Sequence, residues 1–337
     1  MRVLTSSDLA RVLTFPRCMQ AMRGAMIATS ARDCTLPLRQ FMPVPRRAGK
    51  LGLMPGYLGA EADCFGVKIV SKYERAAGDP HGSHVGAVLL FNADTGLPLA
   101  LLEGGTLTAL RTASMTAVAT DALARPDSRH LLIVGAGEEA WYHARALVHA
   151  RPFERLSVWG RDAARAAALV ARVESWFAEH GAGLARRPQV GVATDLERAC
   201  GDADVICTVT SAKSPIVHGA WLRPGVHLNL VGSAIAATAE ADAEAVVRSR
   251  FFVDYRDAAL AAAGELLGAL REGRVTEAHI AGEIGAVLDG SVTGRGSAQD
   301  ITVYKSLGVT TQDLAAGLCA LREAESAGIG GELELDR

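Results

Sequence analysis

Aromatic residues make up only 5% of this 337-residue chain, so its cores have to be filled by Ala, Leu and Val. No apolar run approaches the roughly 18–20 residues that a membrane-spanning helix needs. No basic segment followed by an apolar stretch opens the sequence either, so the reading expects neither a membrane anchor nor a secretory leader, and places the chain in the cytoplasm. The six cysteines (Cys18, Cys34, Cys64, Cys200, Cys207 and Cys319) include no CxxC pair. That argues against a zinc knuckle and for free thiols in a reducing compartment. Basic residues form no stripe and the net charge is only −2, so neither nucleic acid nor a membrane surface is expected as a partner. Lysine is scarce: Lys50, Lys68, Lys72, Lys213 and Lys305 stand against thirty arginines, which makes each one worth inspecting.

The strongest local signal is His130-Leu131-Leu132-Ile133-Val134-Gly135-Ala136-Gly137-Glu138-Glu139-Ala140. Residues 131–134 are all apolar and read as a strand buried on both faces. Gly135 and Gly137 permit a tight turn and a close backbone approach, and Ala136 stands between them. The helix that follows would aim its free N–H groups at a pyrophosphate. Strand before and helix after raise the string above a bare glycine pattern, toward dinucleotide binding.

Strands and helices alternate from 130 to 300. Strands are expected at 156–159, 189–192, 205–209, 226–231 and 251–254, and a helix at 162–177. That is the pattern of a doubly wound parallel sheet. Residues 285–290 read as closing turns. The N-terminal part differs. Residues 6–30 read as one helix, with Leu9, Val12, Leu13, Met19, Met22 and Met26 at helical spacing. The run with Pro37, Pro43, Pro45 and Pro55 reads as short strands and turns. Strands follow at 66–72 and 86–92, then an Asn92–Gly96 turn, a partner strand at 97–102, and a helix at 106–123.

Few side chains suggest chemistry unaided. After the second parallel strand the chain reads Trp159-Gly160-Arg161-Asp162. Arg161 either pairs with the 2′-phosphate of NADP or is an exposed turn arginine, and Asp162 is placed to cap the next helix. Arg111 has only small neutral neighbours in Leu107-Thr108-Ala109-Leu110-Arg111-Thr112-Ala113, so it is either solvated or held for an anionic ligand. Lys68 lies in an otherwise apolar strand and reads, on the strand alone, as a solvated edge lysine. His81 and His84 lack a third ligand, so no metal is expected. Ser297, Asp300 and His279 form no nucleophile arrangement, and no GxSxG elbow occurs.

Taken together, Pro37-Leu38-Arg39, Leu53-Met54-Pro55-Gly56, Gly66-Val67-Lys68, Leu107 to Ala113, Gly135-Ala136-Gly137, Leu230-Val231-Gly232 and Asp300-Ile301-Thr302-Val303-Tyr304-Lys305-Ser306-Leu307-Gly308 resemble the ornithine cyclodeaminase/mu-crystallin family, in order over nearly the whole chain. The resemblance implies an α/β protein: a Rossmann-type doubly wound domain at 121–300, inserted into an α+β substrate and dimerisation domain made from 1–120 and 301–337. It implies a homodimer, a nicotinamide cofactor (NADP, with NAD possible) and an imino or amino acid substrate. It puts Arg39, Lys68 and Arg111 around the substrate, with Lys68 and Arg111 catalytic. Thr112, Gly135, Ala136, Gly137, Arg161, Thr208, Val231 and Gly232 would line the cofactor. Cyclodeaminases of the family carry an aspartate where this chain has Ala234, and a methyl group cannot act as a base. The expectation is therefore a reductase of cyclic ketimines. A 3-hydroxyproline dehydratase, an ornithine cyclodeaminase-like ammonia lyase and a binding protein for NADPH and small ligands are the alternatives.

Overall fold

The computed structural model describes residues 1–47, 49–59, 61–73 and 85–334, so His81 and His84 lie outside the described residues. The chain divides into two compact units, Met1–Thr112 with Val309–Arg337, and Ala113–Gly308.

In the first unit a sheet runs in the order Gly331–Glu332, Arg2–Leu4, Pro98–Glu103, Val85–Asn92, Cys64–Tyr73, Gly49–Leu58 and Cys34–Thr35, and Gln40–Val44 also pairs with Gly49–Leu58. Neighbours are antiparallel except Arg2–Leu4, which runs parallel to Pro98–Glu103. Pro55 sits inside the ten-residue strand Gly49–Leu58 without breaking it. On the outer side, pairing with Gln40–Val44 stops at Leu53 and pairing with Cys34–Thr35 resumes at Tyr57. The missing N–H of proline falls in that gap. The turn after Val85–Asn92 is built as its residues suggest: Thr95 N donates to Asn92 Oδ1 at 2.8 Å and Gly96 takes φ 70°.

One face of this sheet is covered by the helix Thr310–Ala327, which packs on the three long central strands and on the helix Phe15–Ser30. The expected helix over 6–30 is two helices, Ser6–Val12 and Phe15–Ser30. Thr14 is the N-cap of the second and Pro16 stands in its first turn, where a proline starts a helix but cannot continue one.

The second unit holds an all-parallel sheet in the order Gln189–Val192, Arg155–Trp159, His130–Val134, Val205–Thr208, His227–Leu230, Ile301–Lys305, Ser249–Val253, Ile280–Glu283. His130–Val134 is buried throughout, as its unbroken apolar run suggests. The order of connection reverses between His130–Val134 and Val205–Thr208, and ligands of such sheets bind at the carboxyl ends of the strands at that point. Asp162 caps the helix Ala163–His180, accepting from Ala164 N and Arg165 N.

Two local readings change here. Ile301–Lys305, expected with the terminal segments, pairs between His227–Leu230 and Ser249–Val253. Every residue of it is buried, which suits an interior strand of a parallel sheet. A strand Ile280–Glu283 was not foreseen, and the turn expected at 285–290 is mostly the short helix Ile284–Leu288.

Candidate active site

Arg111 belongs to the helix Gly104–Leu123, whose residues 106–120 are all buried. Small side chains let neighbours pack closely on every side of a helix, and Ala, Ser and Thr make up most of this stretch. Glu103 caps its start, accepting from Gly105 N and Thr106 N. A guanidinium in such a helix needs a partner. Arg111 is 4% exposed, and its Nε donates to Asp313 Oδ1 at 2.9 Å while its Nη1 donates to Gln312 Oε1 at 2.9 Å. Its Nη2 has no acceptor among the described residues.

Lys68 is 2% exposed and its Nζ donates to the same Asp313 oxygen at 3.3 Å. It is therefore no edge lysine. Its strand Cys64–Tyr73 alternates, and Lys68 points to the buried face with Gly66 and Val70. Burial pushes its ammonium down to about 8, with Asp313 working against the shift and Arg111 adding to it. Burial alone would raise the Asp313 carboxyl, but the charges and hydrogen bonds of Arg111 and Lys68 hold it below the usual carboxylate range. Oδ2 of Asp313 is buried and accepts no hydrogen bond among the described residues. Arg39 is half-buried just before Gln40–Val44, and its charge acts on Lys72, as does that of Arg111. Thr112 follows Arg111 in the helix and is 8% exposed.

The second unit gathers the other residues. Gly135 has φ 133°, and a Cβ there would lie 2.9 Å from the carbonyl oxygen of Val209, so only glycine fits. Nothing lies within 4 Å of a Cβ built on Gly137, which is the N-cap of the helix Glu138–Leu147 and offers no side chain to its N–H groups. Open space at a helix start that has no side-chain cap suits a pyrophosphate. Arg161 is exposed beyond Arg155–Trp159 and has no partner among the described residues.

Thr208, Val231 and Gly232 do come together. Val231 N and Gly232 N both donate to Thr208 O, at 3.1 and 3.2 Å. Glu240 ties them further. Its carboxylate accepts from Thr208 Oγ1, Thr210 N and Oγ1, Gly232 N and Ser233 N at 2.7–3.3 Å. Below it, Glu240 N donates to Glu265 Oε1, Lys305 forms a buried ion pair with Glu265 at 2.9 Å, and Lys305 Nζ donates to Ser233 O at 2.6 Å. Asp313, Gln312, Glu240 and Glu265 were not singled out from sequence. Nothing in a lone acid within Ala239-Glu240-Ala241-Asp242-Ala243-Glu244 distinguishes the buried one. Asp313 follows the Leu307-Gly308 string closely, and the need of Arg111 for a counter-ion was the available clue.

The parallel sheet, its reversal point and the glycine turn define a Rossmann-type dinucleotide-binding unit. The ornithine cyclodeaminase/mu-crystallin family model matches residues 2–327, and the chain belongs to that family. It is 35% identical over 280 residues to the ketimine reductase mu-crystallin of Mus musculus, covering 83% of this chain and 82% of the relative. It is 30% identical over 336 residues to a Delta(1)-pyrroline-2-carboxylate reductase of Bacillus cereus, covering 99% of this chain and 100% of the relative. Among solved structures, the Delta(1)-pyrroline-2-carboxylate reductase of Thermococcus litoralis, in complex with NADH and L-proline, superposes with a TM-score of 0.92 at 28% identity, covering 99% of this chain and 100% of that one.

Proposed function

We propose that the protein is an NAD(P)H-dependent reductase of cyclic imino acids, converting ketimines of the pyrroline- or piperideine-2-carboxylate type to proline- or pipecolate-like products. The observation that carries the reading is the unused edge of Arg111 beside Lys68. A guanidinium pinned through Nε and Nη1 keeps Nη2 for an incoming carboxylate, and Arg39 adds a second cation to hold it. The names of the mouse and Bacillus cereus relatives support the same chemistry.

A bound reduced nicotinamide supplies a hydride to the imine carbon. The nitrogen then gains a proton, which Lys68 can donate from Nζ, since its value of about 8 leaves it charged yet acidic enough to give a proton up near neutrality. Asp313 accepts from both Lys68 and Arg111, and so orients donor and anchor together. The carboxyl ends of the parallel strands serve the dinucleotide: Gly135, Ala136 and Gly137 its pyrophosphate, and the Thr208–Gly232 turn, fixed by Glu240, its nicotinamide end. Arg161 supports NADP over NAD, because Asp162, the nearest acid for a ribose hydroxyl in this turn, already accepts from Ala164 N and Arg165 N. Ala234 has no acid or base to offer, which suits an imine that arrives already cyclised.

A homodimer is part of the reading. The sheet face opposite Lys68 exposes Met42, Phe65 and Ile69, and Phe65 stacks on Phe91 with ring centroids 5.1 Å apart.

Oxidation of NADPH and NADH with pyrroline-2-carboxylate and piperideine-2-carboxylate, with proline and pipecolate identified as products, tests the proposal. Absence of turnover with every cyclic ketimine, in protein shown to bind the coenzyme, overturns it. Product formed from 3-hydroxyproline without nicotinamide would assign a lyase instead.

A further inference from the structure

One carboxylate does not account for the positive charge on the sheet face that carries Lys68. Lys50 and Lys72 are direct cross-strand partners, and Met54 opposes Lys68 four residues along the same pair of strands. Side chains alternate between faces, so Lys50, Lys68 and Lys72 all leave one face of the sheet. The two outer ammonium groups converge on a single ring: Lys50 Nζ lies 4.6 Å and Lys72 Nζ 5.9 Å from the centroid of Phe41. That ring lies over Gly52, where an added Cβ would come within 2.9 Å of both Phe41 and Val70, so a larger residue would displace it.

Like charges placed directly opposite each other work against a sheet. Lys72 is half-buried, and burial, then the charges of Arg39, Lys50 and Arg111, bring its ammonium down to about 8. Neither Lys50 nor Lys72 has a hydrogen-bond or ion-pair partner among the described residues, and an aromatic face is a poor substitute for a counter-ion. Asp313 is engaged by Lys68 and Arg111. One substrate carboxylate on Arg39 and Arg111 would still leave the two lysines held together with no anion among the described residues.

We propose that Lys50 and Lys72, converging on Phe41, form a subsite for a second acidic group of the imino acid, so that the preferred substrate is a cyclic imine dicarboxylate. This rests on the reductase reading above and specifies its substrate class. The arginines take the carboxylate beside the imine, whose nitrogen faces Lys68; the two outer lysines take the distal one.

Two measurements test it. The first compares piperideine-2,6-dicarboxylate with piperideine-2-carboxylate, which share a ring and differ by one carboxylate. The dicarboxylate is expected to have a kcat/KM higher by about tenfold or more, carried mainly in KM, as suits a charge-assisted contact. Lys72→Met and Lys50→Met should each erase most of that preference, and Lys72→Arg should retain it. The second measures binding of pyrrole-2,5-dicarboxylate and pyrrole-2-carboxylate without turnover, in wild type and Lys72→Met. Tighter binding of the dicarboxylate that depends on Lys72 supports the subsite even if neither imine is reduced, in which case the reductase reading alone falls. Equal binding of the two pyrroles, or a preference untouched by Lys72→Met, overturns the proposal. So does a loss of NADPH affinity in Lys72→Met with the preference intact, which would assign the lysines to coenzyme phosphate.

Discussion

Arg111 is anchored to Asp313 through Nε, at 2.9 Å, and not through its outer edge. The same Asp313 oxygen accepts from Lys68, so one buried carboxylate neutralises and aims two cations from different elements. Removing its charge would leave Arg111 and Lys68 facing each other without compensation. Breaking a buried pair in this way typically costs about 3–5 kcal/mol. Asp313→Asn should therefore lower the unfolding free energy by about that amount in urea titrations, and reduce kcat/KM for cyclic imines by more than tenfold or so. Retained activity would mean that Arg111 and Lys68 are positioned by other contacts.

The pH profile should report Lys68. Its folded-state value of about 8 lies below its ordinary 10.5, so its charge is lost as pH rises through about 8. If that ammonium protonates the imine, kcat/KM falls above pH 8. Lys68→Arg should move this limb upward, and Lys72→Arg should leave it in place. The stability effect has the opposite sense. Between about 8 and 10.5 the unfolded chain binds more protons than the folded one, so the contribution of this group makes the fold more stable as pH rises across that window.

Coenzyme choice should depend on Arg161. With Asp162 committed to the start of Ala163–His180, Arg161 is the side chain left at the end of Arg155–Trp159 to meet a 2′-phosphate. Arg161→Ala is expected to weaken NADPH binding by about tenfold and to leave NADH binding nearly unchanged, as read by coenzyme fluorescence. An equal effect on both would remove the assignment.

The outer sheet face predicts an assembly. Phe65 and Ile69 are each 37% exposed and lie on the same side of Cys64–Tyr73. Phe65→Asp with Ile69→Asp should convert a dimer to a monomer in light scattering after size exclusion. A wild-type monomer at micromolar concentration would count against the dimer.

What could be read from sequence follows the range of the interactions. The parallel sheet was legible because runs such as Leu131 to Val134 and the glycine turn after them are local patterns with local causes. Apart from what the family resemblance implied, the site was legible only where a residue was out of keeping with its surroundings, as Arg111 was among alanines and threonines. Lys68 illustrates the limit. Within its strand it reads as an edge residue, and only a carboxylate 245 positions away explains its burial. Glu240 and Glu265 were invisible for the same reason, since a buried acid and a surface acid share one letter. Ile301–Lys305 was misassigned because the identity of its neighbouring strands is not written in its own five residues.

The first unit is assembled from both ends of the chain, with Met1 N donating to Leu333 O at 3.2 Å and Lys68 and Arg111 waiting for Gln312 and Asp313. The second unit is one uninterrupted stretch, Ala113–Gly308. On the ribosome, the dinucleotide unit has all its strands before the helix Thr310–Ala327 is made, while Lys68 and Arg111 must pass the greater part of synthesis without their carboxylate. A nascent chain halted before residue 310 should thus hold coenzyme and be unable to hold substrate, making the order of synthesis the order in which the two ligands become bindable.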